Sequence, residues 1–304
     1  MSDDDGTRPA DGVVEPATLY VVATPIGNLE DITLRALKVL RSVSVIAAED
    51  TRNTARLLDR HGIRTRMISL HEHNESRRAD AIVEQLAAGQ SVALVSDAGT
   101  PLLSDPGAIL VAKVRDAGFR VIPIPGASAL VAALSAAGLA GTSFQFVGFL
   151  PDRSAARRKA IASYAQLACI LIFYEAPHRV VACVRDLATE LGGQREIVIA
   201  RELTKLFESI HRCRLDEAAA WLEADADRQR GEFVLLVSGP AHRAPDADAI
   251  AANADKVLRA LMAELPLAQS VKLACAITGM RRGDLYARAL QLAANNNSVK
   301  VRAD

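Results

Sequence analysis

Aromatic side chains are scarce in this chain: one Trp, four Tyr and seven Phe among 304 residues. A surface that binds single-stranded nucleic acid by stacking base upon base needs more of them. An excess of charge of one sign is lacking too, because 36 Lys and Arg balance 36 Asp and Glu. The whole molecule therefore exerts no general attraction on nucleic acid, and any such contact must use a local patch. The four cysteines, Cys169, Cys183, Cys213 and Cys275, form no C-x-x-C pair and have no His spaced to complete a zinc pattern. Cys169 in its apolar run reads as a buried thiol, and the pattern suits a reducing compartment. No apolar run is long enough to span a bilayer. The opening Met1-Ser2-Asp3-Asp4-Asp5 lacks the basic and apolar regions of a secretory signal, so the expected location is cytoplasmic. Also missing are a G-x-G-x-x-G turn after the first strand and a G-x-x-x-x-G-K-[ST] loop. That disfavours an ordinary Rossmann methyltransferase or dehydrogenase, even though Glu49 and Asp50 end the second strand, where such a protein would hold a ribose.

What is present is a regular alternation. Half of the residues are hydrophobic, enough for more than one core. Residues 1–17 are polar and read as a disordered tail. Apolar runs at 19–23, 43–47, 91–95 and 121–124 read as strands separated by helical stretches, one of them capped by Asp31 and carrying Leu34, Leu37 and Leu40. Short apolar strands alternating with helices imply a parallel sheet covered on both faces. The rhythm restarts after Gly126, with strands at 144–147, 169–173, 197–200 and 233–237, and another, antiparallel, within 207–214. The expected organisation is therefore α/β. It comprises a tail (1–17), an N-terminal α/β domain (18–126), a second α/β domain (127–240), and a linker with a small helix-turn-helix-like module (241–304). In that module Leu273, Ile277, Leu285, Leu290 and Leu292 would supply the apolar face, with a turn at Thr278-Gly279-Met280.

Three segments leave strand ends, where parallel α/β sheets bind ligands. Thr24-Pro25-Ile26-Gly27-Asn28-Leu29 follows the first strand; it is either an ordinary turn or a close backbone approach to a ligand through Gly27. Residues 96–107 hold Asp97, Ala98, Gly99, Thr100 and Pro101, then Ser104-Asp105-Pro106-Gly107. So dense a run of small residues and prolines favours a rigid loop exposing amides, with Asp97 as a ligand acceptor, over two successive turns. In Pro125-Gly126-Ala127-Ser128-Ala129, Ser128 caps a helix or, with the same geometry, its N–H groups meet a polar ligand.

These segments, together with Glu49-Asp50-Thr51-Arg52, Tyr174-Glu175-Ala176-Pro177-His178-Arg179 and Arg201-Glu202-Leu203-Thr204-Lys205, appear in an ordered series that resembles the ribosomal RNA small-subunit methyltransferase I family. That family belongs to the tetrapyrrole-methylase superfamily, and the resemblance covers about residues 19–240. It implies two α/β domains of the tetrapyrrole-methylase type with the cofactor cleft between them, plus a small C-terminal helical module. It implies S-adenosylmethionine as cofactor, no metal, and a homodimer. The implied reaction is 2′-O-methylation of a cytidine ribose in the decoding region of 16S ribosomal RNA, with the small ribosomal subunit as partner. Cofactor contacts would fall on Pro25, Ile26, Asp97, Ala98, Gly99, Thr100, Ser128, Ala129, Phe149 and Tyr174, with residues 231–233 as further candidates. The chain departs from the family at Cys213, where a glycine is expected, and at Ala176, where a serine is expected.

A ribose hydroxyl is a poor nucleophile while protonated, so the reaction needs alignment and a proton acceptor. The candidate catalytic residues are Asp50, Arg52, Glu175, Arg179, Arg201 and Lys205, with Glu49, His178 and Glu202 nearby. Glu175, Asp50 or Lys205 would assist deprotonation, while Arg52, Arg179 and Arg201 hold phosphate or ribose. Several could equally be ion pairs at strand ends. Two basic clusters, Arg153, Arg157, Arg158 and Lys159, and Lys272, Arg281, Arg282 and Arg288, are candidate RNA contacts or simply solvated faces. Two rival readings are a small-molecule methylase acting on a tetrapyrrole precursor and a non-catalytic ribosome-binding protein.

Overall fold

The computed structural model describes residues 14–141, 143–240 and 247–300. Most of the expected tail (1–13) and of the expected linker (241–246) lies outside the described residues. Residues 14–17 are not a free tail: Val14 packs on the first core, and Glu15 pairs with Arg120 while its N–H donates to the Tyr20 hydroxyl at 2.9 Å.

Residues 1–240 form one compact unit. Its first sheet holds β1 (Thr18–Val22), β2 (Val45–Ala48), β3 (Met67–Ser69), β4 (Val92–Val95) and β5 (Arg120–Ile124), in the order β3-β2-β4-β1-β5, all parallel. Alternate residues point to opposite faces, and both faces are apolar, as a covered parallel sheet requires. Tyr20, Val22, Ile46, Ala48, Ala93 and Val95 meet α1 (Leu34–Ser42) and α2 (Thr51–Arg60). Leu19, Val45, Ala47, Val92 and Leu94 meet α3 (Glu75–Ala87) and α4 (Ala108–Asp116). Two local details differ from expectation. The cap of α1 is Thr33, whose hydroxyl accepts from Ala36 N at 3.1 Å, because Asp31 is taken up in a 3-10 turn before it. Strand β3 is a short edge strand without an apolar run, so hydropathy does not reveal it.

The second sheet is mixed: β6 (Phe144–Phe149), β7 (Ile170–Glu175), β8 (Glu196–Arg201), β9 (Ser209–Arg214) and β10 (Phe233–Val237), in the order β6-β7-β10-β8-β9. Only β6 and β7 are parallel; β10 inserts antiparallel between β7 and β8. One face, with Leu171, Phe173, Ile197, Ile199 and Leu235, packs on α6 (Ser154–Ser163), α7 (Val180–Leu191) and α8 (Leu215–Glu223). The other face, with Ile170, Ile172, Val198, Ala200, Val234 and Leu236, is covered by α5 (Ala129–Ala137) together with Ile26 and Leu203. Cys213 sits in regular pairing opposite Ile197 without a positive φ, so the family's glycine is not needed for the strand here. The fully buried cysteine is Cys183; Cys169 is only partly covered.

Residues 241–304 form the second unit, built from α9 (Ala247–Glu264), α10 (Leu267–Thr278) and α11 (Arg282–Lys300). Gly279 ends α10 in the left-handed conformation, φ +69°, where glycine is strain-free. Its core is Ala254, Leu258, Val271, Ala274, Leu285 and Ala289. Of the expected apolar face, Leu285 is buried in this core and Leu292 packs against it, whereas Leu273, Ile277 and Leu290 are exposed, correcting that part of the expectation. No helix among the described residues is long and apolar enough to cross a membrane.

Phe173 is fully buried in the middle of the second sheet. Replacing it with Ala should cost about 3–5 kcal/mol in urea denaturation, since the cavity left behind is only partly refilled.

Candidate active site

Both sheets aim strand ends at one cleft. From the first sheet come the segments after β1, β2, β4 and β5; from the second come the ends of β6 and β7 and, because β10 runs antiparallel, its beginning. Between them lies a cavity of about 340 Å³. Of the expected cofactor residues, Ile26, Asp97, Ala98, Gly99, Thr100, Ser128, Ala129, Phe149 and Tyr174 line it, while Pro25 lines an adjacent hollow with Asn53 and Arg56. Glu49 and Glu175 also face it, as do Leu103, Ser104, Asp105, Leu203, Glu232, Phe233 and Val234. A larger groove of about 640 Å³ runs along edge strand β5 and shares no lining residue with this cavity.

The loop at 96–107 is built rather than slack. Thr24 and Gly99 exchange backbone hydrogen bonds of 2.8 and 3.0 Å, stitching the first loop to the second. Gly99 has φ +81°, and a Cβ there would lie 3.2 Å from Ile26. Leu102 (φ +74°) and Ser104 (φ +71°) adopt the left-handed region without glycine's freedom, a local strain held by the packing around them. One anchor went unnoticed in the sequence: buried Glu75 accepts from Gly107 N at 3.0 Å and Leu110 N at 3.1 Å, satisfying the start of α4 where Gly107 offers no side chain. Ser128 takes the cap position of α5 but makes no cap hydrogen bond, and its buried Oγ has no partner among the described residues. That is unusual for a buried hydroxyl and leaves it available to a ligand.

The cleft concentrates carboxylates. Asp97 accepts from Asp50 N and Asn53 Nδ2, both at 3.0 Å, so it latches α2 to the end of β4. Glu49 accepts from Asp97 N at 3.3 Å, and burial raises its carboxyl above the usual range. Asp105 is pushed up to about 6 by burial, with the Glu49 and Asp97 charges adding and the Ser96 hydroxyl opposing. Burial also raises Glu175, which is 2 % exposed, against the pull of the Ala176 N–H at 2.7 Å. Glu175 Oε1 pairs with Arg179. Its Oε2 has no nitrogen or oxygen donor among the described residues; the weakly donating Cys183 thiol lies beside the carboxyl.

The remaining candidates are held in different ways. Asp50 caps α2 and grips Arg52 at 2.6 Å, which holds its carboxyl down at about 2; the Arg52 side chain is otherwise 87 % exposed. Lys205 bonds Glu202 and Glu232, each at 2.9 Å, and these carboxylates hold it above its usual value against the downward pull of burial. Arg201 spends its guanidinium on Ser209 Oγ and the carbonyls of Asp227 and Arg230, tying a turn to β8, and does not line the cavity. The expected basic cluster on α6 is also reduced, because Arg157 is buried against Asp186 at 2.7 Å and Arg158 pairs with Glu190 at 2.6 Å. In the C-terminal unit Arg288 pairs with Asp255 at 2.9 Å. No group of three or more His, Cys, Asp or Glu among the described residues is placed to hold a metal.

The family model for tetrapyrrole (corrin/porphyrin) methylases matches residues 18–219. A second, for the RsmI C-terminal HTH domain, matches residues 248–293. Ribosomal RNA small subunit methyltransferase I of Pseudomonas aeruginosa is 50 % identical over 275 residues, covering 90 % of this chain and 97 % of the relative. The protein of the same name from Escherichia coli O157:H7 is 48 % identical, covering 90 % and 94 %. This chain belongs to the ribosomal RNA small subunit methyltransferase I family. Its fold is that of the tetrapyrrole methylases. A diphthine synthase aligns with TM-score 0.58 at 16 % identity over 73 % of this chain and 90 % of that one. A Thermus thermophilus uroporphyrin-III C-methyltransferase, solved with S-adenosyl homocysteine, aligns with TM-score 0.52 at 19 % identity over 73 % and 97 %.

Asp105 makes the cleft's acidity measurable. The folded protein holds its proton up to about pH 6, whereas an ordinary aspartate releases it near 3.8. Its contribution to stability is therefore full below that ordinary value and lost as the pH rises through about 6. Asp105→Asn should be more stable than the native protein at pH 8 and equal to it near pH 4, in urea titrations across about that range. An equal effect at both ends would contradict the buried-charge account.

Proposed function

We propose that this protein transfers a methyl group from S-adenosylmethionine to small-subunit ribosomal RNA, at the 2′-hydroxyl of a cytidine ribose in the decoding region. The observation that carries the reading is the cleft cavity: it gathers the family's loop motifs, five carboxylates and a Ser128 hydroxyl unpartnered among the described residues, in a family of ribosomal RNA methyltransferases. The same reading makes it a homodimer working in the cytoplasm on the ribosomal subunit.

The cavity fits this donor chemically. S-adenosylmethionine supplies a methyl group on positively charged sulfur. Glu49, Asp97 and Asp105 set a negative field suited to that charge, and a cation there would favour ionised Asp105. Ser128 Oγ and the start of α5 offer polar contacts to the amino-acid end. Ile26, Leu203, Phe233 and Val234 wall the cavity with apolar surface and exclude water.

For the proton, the geometry favours Glu175 over Asp50 and Lys205. Asp50 is held strongly acidic by Arg52, and Lys205 is held protonated by two carboxylates. Glu175 has a raised proton affinity, a place in the cavity wall and an oxygen without a strong donor. It takes the ribose proton while its other oxygen fixes Arg179, which with Arg52 faces the RNA phosphates.

The test is to incubate the protein with labelled S-adenosylmethionine and small subunits from a strain lacking this gene, and to map the label by mass spectrometry. A 2′-O-methylcytidine in the decoding region is expected. Donor binding with no label in RNA would move the acceptor to a small molecule. Glu175→Gln should lower transfer by about 100-fold or more while keeping donor binding. Equal losses in Asp50→Ala or Lys205→Ala would remove Glu175 as the base.

A further inference from the structure

The end of β6 carries a feature that the donor cavity does not use up. Pairing with β7 shifts register between Phe146 and Gly148, a bulge at which Gly148 adopts φ +76°. A Cβ at 148 would lie 2.8 Å from Ser104 Oγ, so this close approach needs glycine. Bulges re-aim side chains. Here the bulge brings both Phe146 and Phe149 edge-on to Tyr174, with ring centroids 5.0 and 5.7 Å away. Phe146 is largely covered; Phe149 remains 55 % exposed.

Beside the cavity lies an open hollow of about 680 Å³, lined by Phe149, Leu150, Pro151, Asp152, His178 and Arg179. Among the described residues, Phe149 alone lines both the hollow and the cavity. A methyl acceptor must sit at that border, with its hydroxyl towards the donor and its bulk outside. The Arg179 guanidinium stands 6.0 Å from the centroid of the Phe149 ring and joins it to Glu175. Its other carboxylate partner, Asp152, is 88 % exposed while Arg179 itself is 12 % exposed, so a phosphate reaches the guanidinium by displacing Asp152 into water. An exposed aromatic ring on a rigid strand end, with a guanidinium over one face and the other side open, has the chemistry of a nucleotide site.

We propose that Phe149 is the platform on which the base of the target nucleotide stacks once that nucleotide is turned out of the RNA. Arg179 and His178 meet its phosphates, and its ribose lies against Glu175. The chemical class of the ligand is an unpaired nucleotide of RNA. The proposal rests on the ribosomal reading above, and it assigns Phe149 to the acceptor rather than to the methyl donor.

Phe149→Ala, Phe149→Leu and Phe149→Tyr in the full-length protein separate these roles. Two quantities are measured: S-adenosylhomocysteine binding by calorimetry, and kcat/KM for methyl transfer to small subunits. The Ala and Leu variants should bind S-adenosylhomocysteine within about twofold of native and lose about tenfold or more in kcat/KM, chiefly through KM for the subunits. The Tyr variant should recover most of the kcat/KM that the Leu variant loses, because its ring stacks and leucine's side chain does not. Lost donor binding in Phe149→Ala, or native transfer in Phe149→Leu, overturns the proposal. Native protein that methylates no subunit RNA overturns the ribosomal reading and this proposal with it, and is distinguished by appearing without any substitution.

Discussion

The cleft exists because α5 covers one face of the second sheet incompletely. Ile26, from the loop after β1, and Leu203, from the loop after β8, complete the apolar cover. Their meeting depends on Gly27, where a Cβ would lie 2.6 Å from Lys205 Cγ and 2.8 Å from Thr204 Oγ1. Asn28 N donates to that same hydroxyl at 3.1 Å. Burial of a few apolar side chains thus holds two sheets with their strand ends facing, and the cavity is the space left between them. The backbone bears the cost locally: Leu102, Ser104, Glu202 and Thr204 all have positive φ around this junction.

Electrostatics then gives the cavity its selectivity. Glu49, Asp105 and Glu175 are each drawn from water far enough to resist ionisation. A cation beside them relieves that resistance, as Arg179 does for Glu175 on one wall. The arginines and lysine predicted for catalysis divide by what surrounds them. Arg179 and Arg52 retain access to the open side, whereas Arg201 and Lys205 are ties within the loops.

Much of the fold was legible because strands covered on both faces are continuous apolar runs; β1, β2, β4, β5, β7 and β10 stand within two residues of those runs at either end. Strand β3 was not, since three partly buried edge residues leave no hydrophobic signature. The loops at strand ends were legible as dense small-residue motifs. What those motifs do not tell is which polar group is committed to the protein itself. Asp97 and Arg201 look like ligand contacts, yet much of their hydrogen bonding is internal. Glu75 resembles a surface helix residue, yet it is buried beneath the site. Arg157 reads as part of a basic patch and is a buried tie to Asp186. Such pairings join residues 29 to 47 positions apart, which local pattern does not register.

The central claim is that the methyl donor occupies the cavity between the two sheets. A structure determined with S-adenosylhomocysteine tests it most directly. The account predicts the ligand between residues 97–100, 128–129 and 233–234, with its sulfur open towards Glu175 and Phe149. Density for the ligand elsewhere, such as the groove beside β5, would contradict it.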